Sequence, residues 1–257
     1  MQIDELYKAI DAVAPKRISD AYCAAYDAYD NSGLLVRMEG DVQRVVFSLD
    51  FSCGAVEKAI RERAKLIVTH HPAIYGKIGS IDEGEPLGKK LISCIRNGIS
   101  IVSMHLNLDL ANGGIDDSLM NALGGERPVV MEEVPLGTYG KVYDVDGFDF
   151  PLYIEKIKRA LETERVIGYG NKPVRRVASF CGAGIGEQAI SFAKQNGADT
   201  VVSADWKHHL ITGTLEQGMN AIVLTHYASE CYGFKQFKNK CQAVLPVACI
   251  WHEDDLK

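Results

Sequence analysis

The sequence has no Cys-x-x-Cys spacing and an odd number of cysteines: Cys23, Cys53, Cys94, Cys181, Cys231, Cys241 and Cys249. That argues against both a disulfide framework and a thiolate zinc site, so the thiols read as small core residues of a reducing compartment. No stretch approaches the roughly 20 apolar residues of a membrane-spanning helix. Basic clusters are missing too. With 28 Lys and Arg against 34 Asp and Glu, the formal net charge is −6. A nucleic-acid backbone is therefore not the expected partner, because such binding is driven by neutralising phosphates. The opening "MQIDELYKAIDAVAPK" lacks the basic head and apolar centre of a secretory signal and reads as a first helix ending near Pro15. These absences predict a cytoplasmic protein with no membrane or nucleic-acid partner.

What is present is the composition of a globular α/β chain, 47% hydrophobic with 24 glycines. Short apolar runs recur: "VVFSL" (45–49), "LIVTH" (66–70), "ISIVSMH" (99–105), "VASFC" (177–181), "TVVSAD" (200–205), "AIVLTH" (221–226) and "VACIW" (247–251). They are nearly continuous rather than alternating, as strands covered on both faces are. Helical patterns separate most of them. Ser52 precedes "CGAVEKAIRERA" as a cap, and "EPLGKKLISCIRN", "GEQAISFAKQN" and "LITGTLEQ" stop at Gly98, Gly197 and Gly218. Strands alternating with helices predict an α/β fold of βαβ units. Residues 126–172 break the rhythm with hairpin-like strands in "PLGTYGKVYDVDG" and a helix carrying Pro151 in its first turn. The expected division is a first α/β domain from 1–125 with part of 231–257, and a second over 126–230.

The chain states one plan twice. Helix, strand and histidine pair occur in "EKAIRERAKLIVTHH" (57–71) and again in "EQAISFAKQNGADTVVSADWKHH" (187–209). Helix, glycine, strand, and then histidine with an acid four residues on, occur in "CIRNGISIVSMHLNLD" (94–109) and "LEQGMNAIVLTHYASE" (215–230). This pattern suggests an internal duplication whose first copy carries an extra loop, 72–88. Function in open α/β sheets gathers at the carboxyl ends of strands. His70, His71, His105, His208, His209 and His226 fall at or after such ends, with Asp109, Asp205 and Glu230. Imidazoles and carboxylates in that pattern predict a metal site, and mixed nitrogen and oxygen donors suit zinc, iron, manganese or cobalt without selecting among them. Asp116 and Asp117 read instead as helix-start acids in a capping role. "CGAGIG" (181–186) reads as a tight turn, since it is not a full GxGxxG and no P-loop lysine follows.

The blocks "DNSGLLV" (30–36), "LIVTHHPAIYGKI" (66–78), "SMHLNLDLANGGIDDSL" (103–119), "GADTVVSADWKHH" (197–209) and "THYASE" (225–230) resemble the signature blocks of one family. It is that of the GTP cyclohydrolase 1 type 2 homologues, also called NGG-interacting-factor-three-like proteins. The resemblance runs in family order, and the chain length matches members without a middle inserted domain. It implies two related α/β domains with mixed sheets, a dinuclear metal site in the cleft between them, and ring-shaped homohexamers. The implied ligands of two divalent ions per subunit are His70, His71, Asp109, His226 and Glu230, with Glu230 as the bridge. His208 and His209 are expected behind the ligands or facing substrate, as are Asp30, Asn31, Asn107 and Asp205. His105 is left as a proton donor or oxyanion partner. The sequence departs from the family at Tyr29, often tryptophan there, at Ala204, usually glycine, and at Leu224, usually more polar.

Two such ions would lower the pKa of a water and support hydrolysis of a small polar substrate. The family name points to opening of a guanine nucleotide's imidazole ring with loss of formate. A metal-dependent phosphoester hydrolase uses the same residues equally well, and so does a non-enzymatic metal-binding or regulatory protein.

Overall fold

The computed structural model describes residues 1–254 and Leu256. The chain divides into two compact units, Met1–Ala111 with Phe234–Asp255, and Asn112–Gly233 with Leu256. The first unit holds α1 (Ile3–Asp11), α2 (Lys16–Tyr26), β1 (Gly33–Val36), β2 (Arg44–Ser48), α3 (Cys53–Arg61), β3 (Leu66–Thr69), α4 (Pro86–Arg96), β4 (Ser100–Ser103) and α5 (Leu106–Leu110). The second holds α6 (Ile115–Ala122), β5 (Glu126–Val134), β6 (Gly137–Phe148), α7 (Phe150–Leu161), β7 (Val166–Tyr169), β8 (Val174–Ser179), α8 (Glu187–Gln195), β9 (Thr200–Ser203), α9 (His208–Glu216) and β10 (Asn220–Leu224). Helix α10 (His226–Val244) starts among residues of the second unit and ends among those of the first, which β11 (Ala248–Trp251) completes.

Each unit is built on one mixed sheet. In the first, the order is β1-β4-β3-β2-β11, with β4, β3, β2 and β11 parallel and β1 antiparallel to β4. Every residue of β3 and β4 is buried, which is why these strands read as unbroken apolar runs. One face of the sheet packs Val46, Ile67 and Ile101 with Val56 and Ala59 of α3 and Leu91 and Cys94 of α4. Phe47 stacks instead with Phe234 and Phe237 of α10, ring centroids 6.2 and 6.1 Å away. Full burial of one such side chain stabilises by about 1.5–3 kcal/mol.

In the second unit the order is β5-β6-β8-β9-β10-β7, with β8, β9 and β10 parallel and the others antiparallel. Val142, Ala178, Phe180 and Val201 pack against Ala189, Ile190 and Ala193 of α8 and Leu210 of α9. The β5–β6 hairpin turns at Pro135 and Leu136, whose φ is +69°, so the stretch read as hairpin-like strands supplies the turn and the single strand β6, and β5 precedes it. The Ser52 hydroxyl accepts the Ala55 N–H at 3.1 Å and so caps α3. Helix α2 is not anticipated by the sequence reading, which stops the opening helix near Pro15. Pro15 is in fact the residue before α2, where a missing N–H costs nothing.

The two sheets share a plan. The run β1–β2–α3–β3–α4–β4–α5 repeats as β7–β8–α8–β9–α9–β10–α10, and in both the first strand is antiparallel to the last. All seven cysteines are free thiols, and no helix among the described residues is long and apolar enough to cross a membrane.

Candidate metal centre

In the first sheet the register sets Ser48, Thr69 and Ser103 side by side at the carboxyl ends of β2, β3 and β4. The next residues of each strand are therefore neighbours: Asp50, then His70 and His71, then His105. Because β1 is antiparallel, its amino end pairs Gly33 with Ser103, which brings Asp30, Asn31 and Ser32 to the same edge.

His70 is fully buried, and its Nδ1 lies 2.8 Å from the Met104 carbonyl oxygen. A carbonyl only accepts, so the Nδ1 carries the proton and Nε2 the lone pair. That Nε2 lies 3.5 Å from Asp109 Oδ1. A lone pair facing a carboxylate oxygen is unfavourable unless a proton or a cation stands between them. His71 Nδ1 sits 2.7 Å from Asp50 Oδ1, and His105 Nδ1 sits 2.8 Å from Asp30 Oδ1. All three rings are thus oriented through Nδ1, the arrangement that presents Nε2 to a metal. Candidate ligand atoms of His70, His105 and Asp109 all lie within 4.8 Å of one another, and this group could hold a metal ion.

The field at this edge favours positive charge. Burial alone would raise the Asp30 pKa, but hydrogen bonds from His105, Ser19 and Ser32 outweigh it and hold the carboxyl well below the usual range. Burial likewise opposes charge on His105, yet the Asp30 hydrogen bond and the nearby Asp109 and Asp30 carboxylates raise its pKa above that of an ordinary imidazole. A site that stabilises an extra proton in this way suits a cation in the proton's place.

The second unit repeats the device. His226, the first residue of α10, places Nδ1 2.7 Å from Asp205 Oδ2 and Nε2 3.1 Å from Glu230 Oε1, one helical turn on. Asp205 takes the left-handed conformation, φ +51°, tolerable for Asp and typical of functional sites. The turn after β8 closes over Glu230. Gly182 has φ +55°, and a Cβ there would stand 2.3 Å from Glu230 Oε1. Its N–H donates to Ser229 Oγ at 3.0 Å. "CGAGIG" is therefore a turn, as the sequence predicts, and it serves the carboxylate rather than a phosphate. Behind it Asp116, wholly buried, accepts from Lys141 Nζ at 2.6 Å, Gly140 N at 3.0 Å and Cys181 N at 3.4 Å.

Several expected residues sit elsewhere or act otherwise. His208 and His209 are exposed on the first turn of α9, and His209 lines a surface hollow with Glu187, Ile190 and Gly213. Strand β9 ends at Ser203, so Trp206 and Lys207 intervene, and the counterpart of His71 by distance from the strand end is Asp205, not a histidine. Asn107 is buried and donates to the Ala14 carbonyl at 2.6 Å, bracing α5 against the α1–α2 loop. Asn31 donates to the Ile74 carbonyl at 2.5 Å and anchors the loop after the histidine pair. Asp116 lies in the first turn of α6 but pairs with Lys141, while Asp117 accepts the Gly113 N–H just before the helix at 2.6 Å. Two residues escaped the sequence reading. Asp50 stands immediately past an apolar run, a signal that was available. Lys141 lies inside a strand, and nothing in its neighbours marks it.

The donor chemistry fits divalent cations: imidazoles with Nδ1 engaged, buried carboxylates, and a glycine that leaves room for one of them. The class so defined is a two-sheet α/β protein with His and carboxylate clusters at its strand ends. Comparison with known proteins agrees. The profile of the Duf34/NIF3 (NGG1p interacting factor 3) family matches residues 1–253, and the chain belongs to that family. It is similar to a GTP cyclohydrolase 1 type 2 homolog of Clostridium perfringens, 29% identical over 237 residues, covering 90% of this chain and 87% of that protein. The structure of reduced HcgD from Methanocaldococcus jannaschii matches with a TM-score of 0.82 and 26% identity, over 99% of this chain and 98% of that one. The Staphylococcus aureus hypothetical protein SA1388 matches with a TM-score of 0.86 over 100% and 98% of the two chains, but at 22% identity it speaks for the fold alone.

Proposed function

We propose that the chain is a divalent-metal-dependent hydrolase of a small polar substrate, with His70, His71, Asp109, His226 and Glu230 as its metal ligands. One observation carries the reading. In both units an imidazole held at Nδ1 turns Nε2 toward a buried carboxylate, His70 toward Asp109 and His226 toward Glu230. Bound divalent ions would acidify a water and polarise the group under attack. The chain's own part is to fix the direction of the His70, His71 and His226 rings at Nδ1, through Met104, Asp50 and Asp205. Buried carboxylates supply the negative charge that offsets a dication.

The relatives' name makes ring opening of a guanine nucleotide the first reaction to assay. Metal-loaded protein is incubated with GTP and formate is measured. Formate above a metal-free control supports the reading; none rejects that substrate. Turnover on a phosphoester panel would keep a hydrolase with another substrate, and tight metal binding without any turnover would leave a metal-binding or regulatory protein. Light scattering of the purified protein tests the homohexamer that the resemblance implies.

A further inference from the structure

The loop between β3 and α4 carries a tyrosine, Tyr75, that is 55% exposed, and the segment between α2 and β1 carries another, Tyr29, at 54%. Loop tyrosines this open usually swing free, but these two are held. Tyr29 Oη donates to the Tyr75 carbonyl at 2.7 Å, and Asn31 Nδ2 donates to the Ile74 carbonyl just before it. The rings meet edge to face, with centroids 5.4 Å apart and planes at 82°, an attractive geometry for an aromatic pair. With over half of each side chain open, neither ring is covered by protein on both faces. Their place matters as much as their exposure. The Tyr75 ring also stands 6.3 Å from the His105 ring, and Asp30, between Tyr29 and Asn31, holds His105 Nδ1. Residues 29–31 thus set an open aromatic corner and a strand-end imidazole side by side.

We propose that Tyr29 and Tyr75 form a stacking subsite that holds a planar heteroaromatic ring of the substrate beside the strand-end imidazoles of the first unit. The inference rests on the small-substrate reading above and narrows it to ring-bearing ligands, such as those with a nucleobase, over sugar phosphates and aliphatic acids. A tyrosine offers a large, rigid contact surface with only two side-chain torsions to fix. Here the hydroxyl of Tyr29 and the backbone of Tyr75 are already engaged, so little freedom is lost when a ring settles on them. Stacking also asks for no charge on the ligand, because every heteroaromatic ring has a π-face. That suits this edge, where Asp30, Asp50 and Asp109 lie among the same imidazoles and, without metal, repel a ligand anchored by phosphate alone.

The test is calorimetric titration of the full chain, metal-free and cobalt-loaded, with guanosine 5′-monophosphate as the ring-bearing probe and ribose 5-phosphate as its ringless control. The ring-bearing probe should bind at least about fivefold tighter in both states. Y75L and Y29L, which keep apolar bulk but lose the π-face, should each weaken it by about 5- to 150-fold and leave ribose 5-phosphate unchanged. Y75F keeps the ring and should bind as wild type does. Y29F gives up the hydroxyl that grips the Tyr75 carbonyl and should fall between wild type and Y29L. Equal binding of the two probes, or none of either, overturns the proposal, as do Y75L and Y29L with wild-type affinity for the ring-bearing probe. A change of molecular mass by light scattering in Y29L/Y75L also overturns it, by assigning the rings to a contact between copies of the chain. Ring-dependent binding without any turnover rejects the hydrolase reading and leaves this one standing, whereas turnover of GTP with kcat/KM unchanged in Y29L and Y75L does the reverse.

Discussion

Asp50 and Gly182 show how single residues shape the site without being ligands. Asp50 fixes the His71 ring through Nδ1, so D50N should weaken metal binding by about 10- to 100-fold while the circular dichroism spectrum stays unchanged; a competition titration with a chromophoric chelator reads it. Gly182→Ala introduces a Cβ 2.3 Å from Glu230 Oε1 at a φ of +55°. That substitution should cost about 1 kcal/mol or more in stability and displace the carboxylate, so that metal content falls alongside the melting temperature. Unchanged metal content in G182A would show that the turn is indifferent to Glu230. These two residues also mark what a sequence shows and what it hides. Asp109 and Glu230 were legible from their four-residue spacing after a histidine, which one helical turn converts into proximity. Gly182 was legible as a turn, but its meaning depends on a carboxylate 48 positions along the chain. His208–His209 repeats His70–His71 in letters only, because distance from the strand end makes Asp205 the counterpart of His71.

At the scale of elements, the parallel strands were readable because burial on both faces leaves no polar alternation. The edge strands β1 and β7 were not, since only one neighbour pairs with each and half-exposed residues interrupt their runs. The loop after β8 depends on an ion pair that no periodicity signals. Lys141, 2% exposed within β6, meets Asp116 at 2.6 Å and Asp117 at 3.0 Å. Burial drives the Asp116 pKa up, and the Lys141 charge works against that. Lys141→Ala leaves two carboxylates without their cation, and unfolding in urea should report a loss of about 3–5 kcal/mol. The double variant K141M/D116L, which removes both charges, should be clearly milder than the single one. If K141A costs under about 1 kcal/mol, the ion pair does not hold α6 to β6.

At the scale of the whole molecule, duplication explains why each unit carries an imidazole–carboxylate cluster. The same strand–helix–strand sequence delivers imidazole and carboxylate to the carboxyl ends of each sheet, and the two copies have diverged where His71 faces one and Asp205 the other. Family membership and the two-sheet architecture were both legible, because the motif blocks fall in order over most of the chain. The pairing of His105 with Asp30 was not, because it follows from strand registers rather than from spacing. If metal binds the folded state, removing it should destabilise the protein. With free metal at about 1,000 times the dissociation constant the linkage amounts to roughly 4 kcal/mol, so exhaustive chelation should lower the melting temperature by several degrees, and re-addition of zinc or cobalt should restore it. Insensitivity to chelator would mean that no metal of consequence is bound.

The most direct measurement is anomalous diffraction at the metal edge from crystals of the cobalt- or zinc-loaded protein. The account predicts anomalous peaks within bonding distance of His70 Nε2 with Asp109, and of His226 Nε2 with Glu230. Peaks confined to other side chains, with these residues bonded only to protein, would contradict it.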